Sequence, residues 1–178
     1  MFYVEIIVIC LVGTLLHFTY ELSHHSKLVA IFSAVNESTW EHVKICMTPT
    51  ILWSIYEIIT YGFSGNFLVA KSLCLLTIIL LIPILFYSYS VFTKRSILFI
   101  DVICFYITVI CSQCVFKYFI NLNNISNVYI YLSIILLIIE IGSYLYLTFN
   151  PFDNFIFKDP ITHRYGLQGH PCEHHHKH

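Results

Sequence analysis

The run Asn36-Glu37-Ser38-Thr39-Trp40-Glu41-His42 puts a carboxamide, two carboxylates, two hydroxyls and an imidazole in a few consecutive residues. These are side chains that ligate borderline divalent cations or move protons. Upstream, His17 and Glu21 stand four residues apart and share one face of a helix, with His24 about two turns beyond His17. If the two faces meet, they assemble a His/carboxylate site suited to a divalent metal, zinc foremost, with manganese or iron as alternatives. Asp101 is a further acidic candidate. The expected metal set is therefore His17, Glu21, Glu37, Glu41, His42 and Asp101. There is no HExxH, so zincin protease chemistry has no support, and no catalytic residue is assigned.

The same run also has a mechanical reading. Ser38-x-x-Glu41 has capping-box spacing, Trp40 suits the headgroup level, and Lys44 can snorkel to that plane. Capping accounts for neither Glu37 nor His42.

A second ligand-rich stretch closes the chain. His170, Cys172, His174, His175, His176 and His178 form an expected separate metal-binding tail. Interruptions by Cys172, Glu173 and Lys177 distinguish it from a plain purification tag. Cys111-Ser-Gln-Cys114 has redox-motif spacing, but the chain has seven cysteines, several within apolar runs, where a buried small hydrophobe is the simpler reading.

The elements that must position these groups are membrane helices. Apolar residues make up 58% of the chain, charged residues 11%, and the mean hydropathy is +0.78. That is too few charges for a soluble domain. A net charge of −1 with no arginine-rich stretch excludes a nucleic-acid partner, leaving the lipid bilayer as the expected one; protein partners are unspecified. The expected fold is all-α and polytopic, with about five spans at 2–22, 43–61, 67–92, 96–120 and 128–149. The first is read as a retained helix, since Glu5 stands where a signal peptide carries its basic region. The short apolar stretch 28–35 is read as re-entrant or interfacial. Residues 1–149 form the transmembrane domain, 150–169 an ordered cytoplasmic segment that folds back, and 170–178 the His-rich tail.

Lysine and arginine placement sets the orientation. Lys27, Lys44, Lys94, Arg95, Lys158, Arg164 and Lys177 fall on one side and Lys71 and Lys117 on the other. The N-terminus is expected outside and the C-terminus in the cytoplasm, with the protein in the cell membrane. At 1.5 Å rise per residue, His17 and Asp101 lie roughly 8 Å inside the cytoplasmic end and Glu140 about 14 Å, with Glu21 and His42 at the boundary. Ionisable groups at that depth are costly unless paired or functional. Glu5 and Glu57 lie toward the other end, where each can reach the headgroups, and receive no role.

The Asn-Glu-Ser-x-Trp-Glu-His run, with His17-x-x-x-Glu21 before it and Asp159-Pro160 and Tyr165-Gly166 after it, resembles a family of small prokaryotic membrane proteins of unknown function. The resemblance covers about residues 10–168 and implies a multi-helix membrane fold and no activity. Ser38-x-x-x-His42 also resembles the Ser/His pair of the alkaline ceramidase and adiponectin-receptor superfamily, which implies zinc hydrolysis. The chain departs from that pattern: five spans instead of seven, no Asp before Asp101, and its HxxxH (His174 to His178) in a polar tail. Three functions follow as expectations: binding or transport of a divalent metal or protons, a metal-dependent hydrolase acting on a lipid-like substrate, or a structural or partner-binding subunit.

Overall fold

A computed structural model of the chain describes residues 2–123 and 125–169. Five helices follow one another: α1 (Phe2–Leu22), α2 (Thr39–Tyr61), α3 (Gly65–Thr93), α4 (Leu98–Ile120) and α5 (Asn127–Phe149). The described residues contain no strand; Lys158 and Tyr165 form an isolated bridge in the segment after α5. Contacts between helix ends fix the winding. Glu5 at the start of α1 meets Lys117 at the end of α4, and Glu57 near the end of α2 meets Lys71 near the start of α3. Sequential helices therefore run antiparallel, as connections this short require.

α1, α3, α4 and α5 are long and apolar enough to cross a membrane. Their outward residues bear this out physically: Leu11, Leu15 and Phe18 on α1 and Ile135, Ile138 and Ile139 on α5 are exposed. In water such continuous apolar stripes would be a liability. α2 is the exception. It is long enough but falls short in hydropathy, because Glu41, Lys44, Thr48, Thr50 and Glu57 are built into it, all of them buried. It sits among the other helices, so its polar groups face protein instead of lipid. Val43, Cys46 and Met47 pack there with Ile9, Leu75, Ile78 and Val109.

Pro49 lies inside α2 and has no N–H, which frees the carbonyl of Ile45. Gly13 of α1 approaches that carbonyl so closely that an added Cβ would lie 2.9 Å from the oxygen and 2.5 Å from the Phe105 ring. The absent side chain at 13 and the absent proton at 49 together bring α1, α2 and α4 into contact.

Between α1 and α2 the chain dips as a short 3-10 turn, Val29–Ile31. Irregular backbone packed among helices must find its hydrogen-bond partners inside the protein. Here it does: Lys44 Nζ donates to the Ala30 carbonyl at 2.8 Å and the Tyr144 hydroxyl to Ile31 at 2.6 Å. Thr48 Oγ1 stands 3.0 Å from the Phe32 carbonyl. Ser33 Oγ ties the turn back to α1 through the Leu16 carbonyl at 2.5 Å and the Tyr20 N–H at 2.9 Å. After α5 the described segment lies against the start of α2. Trp40 N–H donates to the Ile156 carbonyl at 3.0 Å, and the Trp40 and Phe157 rings pack at 5.1 Å.

Two local expectations are corrected. Ser38 is the N-cap of α2, but its side chain makes no capping bond, and Glu41 does not return to it. The Glu41 carboxylate instead accepts from Val35 N–H at 3.0 Å and pairs with Lys44 at 2.6 Å. Lys44 consequently does not snorkel; it is fully buried. The buried partners, Val35 N–H and Lys44, outcompete the cap.

Candidate metal centre

His17 stands near the end of α1, His42 in the first turn of α2, and Glu37 on the linker just before it. Asn36 shapes that linker. Its Oδ1 accepts from Ser38 N–H and its Nδ2 donates to the Gly166 carbonyl, both at 2.8 Å, which pins the backbone on each side of Glu37. The Glu37 carboxylate is left to point between two rings: Oε1 lies 3.3 Å from His17 Nε2 and Oε2 lies 4.0 Å from His42 Nε2.

One ligand atom from each of His17, Glu37 and His42 lies within 4.8 Å of the other two. A single zinc ion, with ligands at about 2.0–2.2 Å, would draw them to about 4 Å or less. That movement is small for a linker carboxylate that is 40% exposed. His42 Nδ1 is 3.0 Å from the Ser38 carbonyl, which can only accept. The proton therefore sits on Nδ1 and the Nε2 lone pair faces Glu37, the arrangement in which an outer carbonyl fixes a metal-binding imidazole. The hydrogen bond from the His17 ring holds the Glu37 carboxyl below the usual carboxylate range, outweighing the opposing effect of burial.

The trio stands between two cavities. One, about 170 Å³, is bordered by His17, Glu21, Asn36, Glu37 and Asp159 at the polar end of the bundle. The other, about 200 Å³, runs between α1, α2 and α4 and is bordered by Thr14, His17, His42, Asp101, Val102 and Phe105. Asp159 is fully buried and holds its own turn, accepting from Ile161 N–H at 2.7 Å and Thr162 Oγ1 at 3.0 Å.

Of the six residues expected from sequence, three converge and three do not. Glu21 borders the first cavity beside His17 but is not one of the convergent ligands. Glu41 is turned to Lys44 and Val35. Asp101 reaches the second cavity, yet its oxygens take the Tyr89 and Ser96 hydroxyls, the latter at 2.5 Å, and so brace the α3–α4 turn. Glu140 stands apart; neither of its oxygens has a hydrogen-bond partner among the described residues. Cys111 and Cys114 are free thiols. The tail ligands His170, Cys172, His174, His175, His176 and His178 lie outside the described residues.

Sequence reasoning missed a second polar cluster at the opposite end. Glu5 and Glu57 do not reach outward: they are 3% and 0% exposed, in ion pairs with Lys117 and Lys71. The signal was available as depth. Glu5 is three residues into α1 and Lys117 three from the end of α4, so antiparallel helices level them.

An all-α bundle with four membrane-length apolar helices and a His/Glu cluster at one end fits a membrane protein. Residues 1–167 match a family of unknown function, DUF6512, and the chain belongs to that family. No curated protein and no solved structure matches it.

Proposed function

We propose that this is an integral membrane protein whose His17, Glu37 and His42 bind one divalent metal ion, zinc foremost. The observation that carries the reading is the convergence of two imidazole nitrogens and a carboxylate within 4.8 Å, with His42 oriented by a backbone carbonyl. Three protein ligands leave one tetrahedral position for water or a bound group. Five crossings are part of the reading: α2 matches α4 and α5 in length and runs antiparallel to its neighbours. So is an N-terminus outside and a C-terminus in the cytoplasm of a cell-membrane protein. Lys27, Lys44, Lys94, Arg95, Lys158 and Arg164 lie at the metal end, against Lys71 and Lys117 at the other. The tail histidines are a separate metal-binding element in this proposal.

A second reading is a metal-dependent hydrolase acting on a lipid-like substrate. It is favoured by the apolar-walled cavity that reaches His42 between α1, α2 and α4. The purely structural reading loses ground because Glu21, His42, Asp101 and Glu140 do not form one mutually paired layer.

Elemental analysis after purification without chelator tests the proposal, on the full chain and on one lacking residues 170–178. The expected result is metal retained by the shortened chain and lost when His17 and His42 are both replaced by alanine. A shortened chain that folds and carries no metal, even after zinc is added, overturns it.

A further inference from the structure

The cluster at the opposite end supports an inference independent of the metal centre. Four helices contribute to it: Glu5 from α1, Glu57 and Tyr61 from α2, Lys71 and Cys74 from α3, and Lys117 from α4. No α5 side chain among the described residues bonds to it. Lys71 is in contact with Glu57 and lies 4.5 Å from the Phe116 ring centroid. Lys117 touches the Tyr61 hydroxyl and lies 3.5 Å from Glu5. With every group ionised the four charges sum to zero, which would make a closed static network.

Two features do not fit that closed network. Glu5 and Glu57 put two carboxyls into one buried cluster, where each acts electrostatically on the other. Two neighbouring carboxylates repel, and a proton held by either one removes that repulsion. Moreover, Glu5 Oε1, Glu57 Oε1 and Gln113 Oε1 are buried with no donor supplied by the described residues. Leaving such acceptors unmet is expensive in a dry interior. A proton on one of the two carboxyls would add a donor where these oxygens have none among the described residues.

The cluster is also graded in exposure. Glu57 and Lys71 are buried, whereas Lys117, in the last turn of α4, is 22% exposed beside Tyr61, the last residue of α2. We propose that the Glu5–Glu57 carboxyl pair, flanked by Lys117 and Lys71, takes up and releases one proton through the Tyr61–Lys117 end of the bundle. On uptake, Lys117 passes an N–H proton to Glu5 and is reprotonated by hydronium arriving at the Tyr61 rim. One O–H bond forms on the carboxyl pair, hydrogen-bonded to the facing carboxylate, and both lysines stay ammonium. The cluster goes from zero to one positive charge. Release reverses each step, and nothing else is consumed.

Infrared difference spectra of the full-length protein in lipid nanodiscs, between mildly alkaline and mildly acidic buffer, test this. Glu140→Gln serves as the parent, so that the buried carboxyl of α5, which has no hydrogen-bond partner among the described residues, does not contribute. A carboxylic-acid C=O band that appears on acidification and is lost in both Glu5→Gln and Glu57→Gln is expected. Tyr61→Phe should keep the band but slow its appearance after a rapid pH drop several-fold. Absence of any pH-dependent carboxylic-acid band in the parent overturns the proposal without relying on the folding of a variant. So does a band untouched by both glutamine substitutions.

Discussion

The two ends of the bundle handle charge in opposite ways. At one end His17, Glu37 and His42 are partly exposed, flanked by cavities and held by a linker. At the other, Glu57 and Lys71 are sealed between helices with an aromatic ring against the ammonium. The first arrangement keeps ligand atoms available. The second uses them on each other, so removing one partner strands a buried charge. Substitutions at the two ends should therefore separate ligand binding from stability.

The largest expected effect is at the sealed end. Lys71→Met leaves Glu57 without its ammonium and should cost about 3–5 kcal/mol in unfolding experiments in detergent, with bound metal unchanged. Adding Glu57→Gln should recover much of that loss; no recovery would mean that Lys71 acts through its stem packing instead. Next comes Asn36→Ala, which abandons the Gly166 carbonyl and the Ser38 N–H together. A loss of about 1–3 kcal/mol is expected, together with weaker metal binding, because the same two bonds position Glu37. Unaltered metal affinity would show that the linker holds its shape without Asn36.

Glu37→Gln reverses the pattern: at least about tenfold weaker metal binding by titration, with little change in stability. Equal affinity would remove Glu37 from the ligand set. The smallest effect is acid sensitivity of the metal-free protein. The folded Glu37 carboxyl titrates below its unfolded value. Its contribution is thus present above the ordinary carboxylate range near about 4.3 and lost as pH falls through the lower folded value. Comparing thermal unfolding of the parent and Glu37→Gln across that window should show the two converging as the pH drops.

The helices themselves were largely legible, because a bilayer demands a run of apolar residues and little else. The expected 67–92, 96–120 and 128–149 differ from α3, α4 and α5 by two residues or fewer at each end. α2 begins at Thr39, earlier than 43, because its first turn is made of the polar motif itself. Within the site, His17, Glu37 and His42 could be picked out as ligand types, but spacing could not say which way each would turn. Glu41 and His42 are adjacent and so point about 100° apart on a helix. Only the buried Lys44 decides that Glu41 faces inward. The Glu5–Lys117 and Glu57–Lys71 pairs join different helices and leave no mark on any one helix's periodicity.

The turn between α1 and α2 carries a consequence for how the chain is made. Its carbonyls at Ala30, Ile31 and Phe32 are met by Lys44, Tyr144 and Thr48. Two of those partners arrive with the next helix, but Tyr144 is on the last one. During synthesis the first connection thus waits, with one carbonyl unanswered, until α5 has been made and packed against it. The final helix acts as a latch on the opening turn, and a chain stopped after α4 should leave that turn open to protease.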